Sequence, residues 1–150
     1  MNIIEEANMM KEITLWVLNK VIKDYNIISC YNNINEENFY ISINVSFNEI
    51  KDIEFLKKIV NDNKIIKNSI CLEIIEKFGV EEVEKIQKNI KFLRENGILI
   101  AIDDFGVEYS NLDLLKKIDS NIIKLDKFFA DGINDSEISI KVIGFILDIC

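Results

Sequence analysis

A chain of 150 residues, 49% hydrophobic and 29% charged, is large enough to bury a sizeable core and too apolar to remain unfolded. Its formal net charge of −8 and its single arginine, Arg94, exclude a general DNA, RNA or anionic-membrane surface, and leave metal ions rather than guanidinium clamps to hold a phosphorylated ligand. The absence of histidine excludes Ser/His and Cys/His triads and histidine-based zinc sites.

Cys30, Cys71 and Cys150 are odd in number, widely spaced and form no CxxC pair. Reduced, mostly buried thiols in a cytoplasmic protein are the expectation. The N-terminus opens on Glu5 and Glu6 rather than on a basic signal-peptide region. No uncharged apolar run approaches the roughly 20 residues of a membrane span. Proline is absent, so turns must be read without its punctuation.

Residues from about Ile3 to Tyr25 read as helical, with Ile13, Val17, Leu18 and Val21 at helical spacing and Leu15 and Trp16 widening the apolar face. A polar connection over residues 29–38 precedes the strand Phe39 to Val45, and Ser46 or Asn48 is placed to cap a helix reaching about Asn61. Ser69 to Glu76 reads as a second strand. Val80, Val83, Ile86, Ile90 and Leu93 mark the next helix, closed by Asn96-Gly97 as a left-handed cap. The apolar run Ile98 to Ile102 then leads into two adjacent acids, Asp103 and Asp104. A short helix over Ser110 to Lys117, a fourth strand over Asn121 to Asp126 and a last helix with Ile138, Val142, Phe145 and Ile149 on its apolar side complete the chain.

Regular alternation of helix and strand predicts right-handed crossovers and a parallel sheet, either open or part of a (β/α)8 barrel. The polar residues favour the barrel. Asn44, Glu73, Asp103, Asp104, Lys124 and Asp126 all fall at or near the C-terminal ends of successive strands, the ends that converge on the active face of a barrel. An amide oxygen with several carboxylates is a hard-oxygen set suited to Mg2+ or Mn2+. Each residue alone has a structural use: Asn44 at a strand end, Glu73 paired with a lysine, Asp126 in a turn, Lys124 as an ion-pair partner of these acids.

Four segments occur in order: Ile43-Asn44-Val45-Ser46, Leu72-Glu73-Ile74-Ile75-Glu76, the run from Leu93-Arg94-Glu95-Asn96-Gly97 to Asp103-Asp104-Phe105-Gly106, and Ile123-Lys124-Leu125-Asp126-Lys127-Phe128-Phe129. They resemble the asparagine strand, the ExTE segment, the LRxxG…DDFG signature and the IKxDxxF strand of the EAL-domain family, bacterial phosphodiesterases that linearise cyclic di-GMP. The resemblance implies α/β architecture as a partial (β/α)8 TIM-type barrel, with residues 1–150 forming a single, incomplete EAL-type domain. It makes Asn44, Glu73 and Asp103 ligands of a first Mg2+ or Mn2+. Asp104 would serve a second metal or orient the attacking water, Lys124 would hold that water, and Asp126 would support the site. Glu76 would steady the loop after the Asp103 strand, and Phe129 would pack. Two metals about 3.5–4 Å apart would activate the water and neutralise developing charge. A homodimer or a regulatory domain is the implied protein partner.

Several features depart from the family pattern. Its Glu-Ala-Leu strand is expected upstream of the Trp16 helix, and its EGVE and glutamine strands beyond Cys150, so the first and last barrel strands are expected to be missing. A fragment, a piece of a split gene and a decayed relative all fit. Val107-Glu108 stands where Thr-Gly is usual, and Ile75 where Thr is usual. Weak or no catalysis by the isolated chain is the expectation. The alternative is a degenerate domain acting as a cyclic di-GMP-binding or protein-interaction module. A barrel aldolase with Lys124 as Schiff-base nucleophile is disfavoured, because neighbouring acids raise a lysine pKa.

Overall fold

The computed structural model describes residues 9–32, 39–62, 66–75, 80–105, 117–127, 140, 141, 144 and 146. Helix α1 (Met9–Asn32) is longer at its C-terminal end than the sequence pattern suggests, taking in part of the expected polar connection. It buries Thr14, Leu18 and Tyr25, with Leu15, Val17, Val21 and Ile22 packed at the margin. Trp16, placed on the apolar face by its spacing, is 70% exposed, and Ile13 is exposed too. Tyr25 fixes the far end of the helix by stacking on Phe39 at 5.5 Å and donating its hydroxyl to the Phe39 carbonyl at 3.4 Å.

Strand β1 (Ile41–Val45) runs into Ser46, which caps α2 (Phe47–Lys51). Ser46 Oγ accepts from the Glu49 N–H at 3.3 Å while Glu49 Oε2 accepts from the Ser46 N–H at 2.8 Å, the reciprocal pair of a capping box. The single helix expected here is split at Asp52. Its N–H bonds the Glu49 carbonyl to end α2, and its Oδ1 accepts from Glu54 and Phe55 N–H at 3.1 and 3.2 Å to start α3 (Ile53–Asp62). One aspartate thus satisfies two helix ends that would otherwise leave backbone groups unpaired. Lys11 of α1 also pairs with this carboxylate, at 2.5 Å.

Strand β2 (Ile70–Ile75) leads to α4 (Val80–Glu95), which buries Val83, Ile86, Ile90 and Leu93. Buried Asn89 donates to the carbonyls of Ile50 and Lys51 at 2.8 and 3.1 Å, tying α4 to the end of α2. At the end of α4, Gly97 has φ +79°; its N–H bonds the Arg94 carbonyl and the Ile98 N–H bonds the Leu93 carbonyl. This Schellman arrangement closes the helix as its Asn-Gly pair predicts. Strands β3 (Leu99–Phe105) and β4 (Ile122–Leu125) follow, with Asn121 extending their ladder by accepting from the Ile100 N–H at 3.0 Å and donating its own N–H to the Ile100 carbonyl. The short helix expected over 110–117 and most of the last helix lie outside the described residues, although Ile146 is buried in the core.

All three strand pairings are parallel, in the order β1-β2-β3-β4. The strands divide their side chains between two faces by the two-residue pleat. Ile43, Val45, Ile70, Leu72, Ile74, Ile100 and Ile102 form one core with Leu18, Ile50, Leu56, Ile59, Ile86, Ile90 and Leu93 of the helices. The opposite face carries Ser42, Asn44, Cys71, Glu73, Ala101, Asp103 and Lys124. A helix-backed core therefore leaves the polar set to the other side of the same sheet.

Candidate functional site

Register decides which of the strand-end residues meet. Asn44 of β1 is paired with Glu73 of β2, and Glu73 with Ala101 of β3, which lies two residues before Asp103 on the same face. Ala101 pairs with Ile122 of β4, two residues before Lys124. Stepping along these rows brings Glu73, Asp103 and Lys124 to one corner of the face. Lys124 Nζ lies 2.9 Å from Glu73 Oε2 and 3.2 Å from Asp103 Oδ1.

Burial makes this contact more than a surface pair. The Glu73 side chain is 9% exposed and that of Asp103 22%, so both acids need a compensating cation, while Lys124 at 42% reaches in from solvent. Hydrogen bonding to Glu73, and then to Asp103, holds the Lys124 ammonium above lysine's ordinary pKa of 10.5. That is the wrong direction for a Schiff-base nucleophile. Below Glu73 on the same face, burial pushes the Cys71 thiol up to about 11, and Cys71 is fully buried. Its depth agrees with the expectation of buried thiols, whereas Cys30 is exposed on α1 and departs from it.

Two adjacent acids cannot share one face of a regular strand. The pairing of β3 with β4 steps from Ile102–Ile123 to Phe105–Leu125, so β3 carries one extra residue. This β-bulge coincides with a left-handed Asp104, φ +54°. The bulge lets Asp103 stay on the polar face, leaves Asp104 exposed and returns Phe105, 1% exposed, to the core. Strict alternation would have driven Asp104 into the core, and the sequence pattern alone did not reveal this device. Asp126 follows β4, half-buried, with its N–H on the Phe105 carbonyl at 3.3 Å. Glu76 and Phe129 lie outside the described residues.

Among the described residues no three acidic or thiol side chains form a ready-made metal cage. The donors do fit a hard divalent cation: Glu73 and Asp103 already converge on a positive charge, and the Asn44 amide is the cross-strand neighbour of Glu73.

The EAL-domain family model matches residues 1–150. The chain belongs to the EAL-domain family. It is similar to the cyclic di-GMP phosphodiesterase PdeA of Borreliella burgdorferi, 32% identical over 148 residues that cover 97% of this chain and 22% of that protein. The EAL domain of Mycobacterium smegmatis DcpA superposes with a TM-score of 0.73 at 26% identity, over 89% of this chain and 60% of that one. The EAL enzyme Bd1971, in a form bound to cAMP and cyclic di-GMP, gives a TM-score of 0.79 at 25% identity over 98% of this chain and 41% of that one. This EAL chain thus spans about a fifth of the curated relative's length and part of each solved chain. Its parallel sheet, predicted by the alternation of elements, is part of a TIM-type barrel, the alternative that the polar strand ends favour. EAL phosphodiesterases are generally metal-dependent. No helix among the described residues is long and apolar enough to cross a membrane.

Proposed function

We propose that residues 1–150 supply the Asn44–Glu73–Asp103–Lys124 quarter of a metal-dependent cyclic di-GMP phosphodiesterase site, which hydrolyses one phosphodiester to give the linear dinucleotide. The observation carrying this reading is the convergence of buried Glu73, half-buried Asp103 and exposed Lys124 at the strand ends, beside Asn44. Glu73, Asp103 and the Asn44 amide oxygen would hold Mg2+ or Mn2+, and Asp104 would serve a second metal or orient the attacking water. Bound there, the cation would supply a more acidic water and charge neutralisation at the phosphate. Lys124 donates to a water or a phosphate oxygen as a point charge, and Asp126 steadies the end of β4. Glu76 is assigned to the loop that follows β3, and a homodimer or a regulatory domain is the expected protein partner.

Within the segments that match the family, Val107-Glu108 stands where Thr-Gly is usual and Ile75 where Thr is usual. This observation favours a second reading, a cyclic di-GMP-binding or protein-interaction module. Calorimetry with cyclic di-GMP, with and without Mn2+, and chromatography of the products separate the two. The phosphodiesterase reading expects metal-dependent binding, slow or undetectable turnover by this chain, and loss of binding in Glu73→Gln and Asp103→Asn. Binding that ignores both metal and these substitutions selects the module. No binding under either condition overturns the phosphodiesterase and cyclic di-GMP-binding readings and leaves the protein-interaction module.

A further inference from the structure

The Lys124 ammonium sits where a cation shared by Glu73 and Asp103 would sit, 2.9 and 3.2 Å from one oxygen of each. We infer that Lys124 is a built-in counter-ion which occupies the metal position of the cation-free protein and must withdraw when a divalent ion binds. The inference rests on the proposed role of Glu73 and Asp103 as metal ligands.

Charge, distance and mobility all support the exchange. Two carboxylates facing one ammonium leave one negative charge uncompensated, whereas a divalent ion cancels both. A metal ion takes oxygen at about 2.0–2.6 Å, shorter than either lysine contact, so the carboxylates close inward once the ammonium leaves. An ammonium and a divalent ion cannot share the position, because their repulsion at such a separation is several kcal/mol even at an effective dielectric of about 20. Glu73 is held by a buried strand with neighbours on both sides, so it has little freedom to follow either cation. Lys124 is on β4, with its side chain 42% exposed and an unbranched stem that can swing outward. Its displaced ammonium remains beside the site, where a water or phosphate oxygen can take it. The lysine thereby preserves the ligand geometry without metal and lowers the affinity for metal. Glu73, unlike a solvent-exposed acid, is never left buried without a positive partner.

Titration calorimetry of the 150-residue chain with MnCl2 alone tests this, alongside Lys124→Ala and Lys124→Met, the second retaining an aliphatic stem should the first fold poorly. Both variants are expected to bind Mn2+ roughly three- to tenfold more tightly, the equivalent of up to about 1.4 kcal/mol. Their melting temperatures are expected to fall in chelator and to rise further than the wild type's when Mn2+ is added. Unchanged or weaker Mn2+ binding in the variants overturns the counter-ion role while leaving the metal site standing. If neither wild type nor variants bind Mn2+, the metal reading itself fails and takes this inference with it.

Discussion

Asp52 shows how one side chain can carry several roles whose energies separate under acid. Lys11, and next the Phe55 N–H, hold its carboxyl below the ordinary value of 3.8. A depressed folded-state pKa means that the charged form's contribution is complete above the unfolded value and is lost as pH falls through the folded one. Asp52→Asn retains a capping oxygen but loses the ion pair, so its stability deficit should be present at neutral pH and vanish in strong acid. Asp52→Ala loses the cap as well and should cost about 1 kcal/mol more, or about 2–4 °C in melting temperature. Thermal denaturation followed by circular dichroism from neutral to acid pH checks both. At this same scale, the strand-end positions of Asn44, Glu73, Asp103 and Lys124 were legible because each follows an apolar run. The arrangement of Asp103 and Asp104 was not. Pleat parity admits one extra residue without any mark in composition, and only the return of Phe105 to the core hints at it.

At the scale of elements, helix ends were readable where a residue has special backbone chemistry and obscure where tertiary contacts decide. Asn96-Gly97 announced the end of α4 because a left-handed residue is required there. A Cβ at Gly97 would also meet Lys67 Cγ at 3.0 Å and its Cα at 3.2 Å. Gly97→Ala should therefore destabilise the chain by roughly 1–2 kcal/mol from the left-handed conformation alone. Gly97→Asn should recover part of that loss, since asparagine tolerates this backbone region; denaturant melts of the two variants provide the comparison. The split at Asp52 was harder to see. Ile50, Ile53, Leu56 and Val60 keep helical spacing straight across it, and an aspartate is as ordinary in a helix as at a cap. The helix α1 also runs on to Asn32, past Tyr25, which packs against Phe39, a contact that local propensity does not contain.

The molecule as a whole pairs a well-shielded apolar side with an open polar one. The alternation of elements made this class readable, because four parallel strands require crossovers and place their ends together. Less readable was which stripe of α1 turns inward. Its sequence offers two apolar stripes, one through Leu18 and another through Met9, Ile13, Trp16 and Ile27, and only packing on β1 selects the first. Trp16 is the sole tryptophan. Its fluorescence in the folded chain should consequently be that of a water-exposed indole, readily quenched by iodide, with little shift in emission on unfolding. A blue-shifted, quencher-protected emission would place that stripe against another surface.

Because each strand pairs with the one synthesised before it, the sheet never waits for a later segment to separate two earlier neighbours. A ribosome releasing this chain from its N-terminus could let β2 dock on β1, then β3 on β2, with the intervening helices folding over the hydrophobic side as they emerge. The acidic residues of β2 and β3 would on that route be set side by side before Lys124 had left the exit tunnel, so β4 arrives with the charge that reconciles the two strands before it.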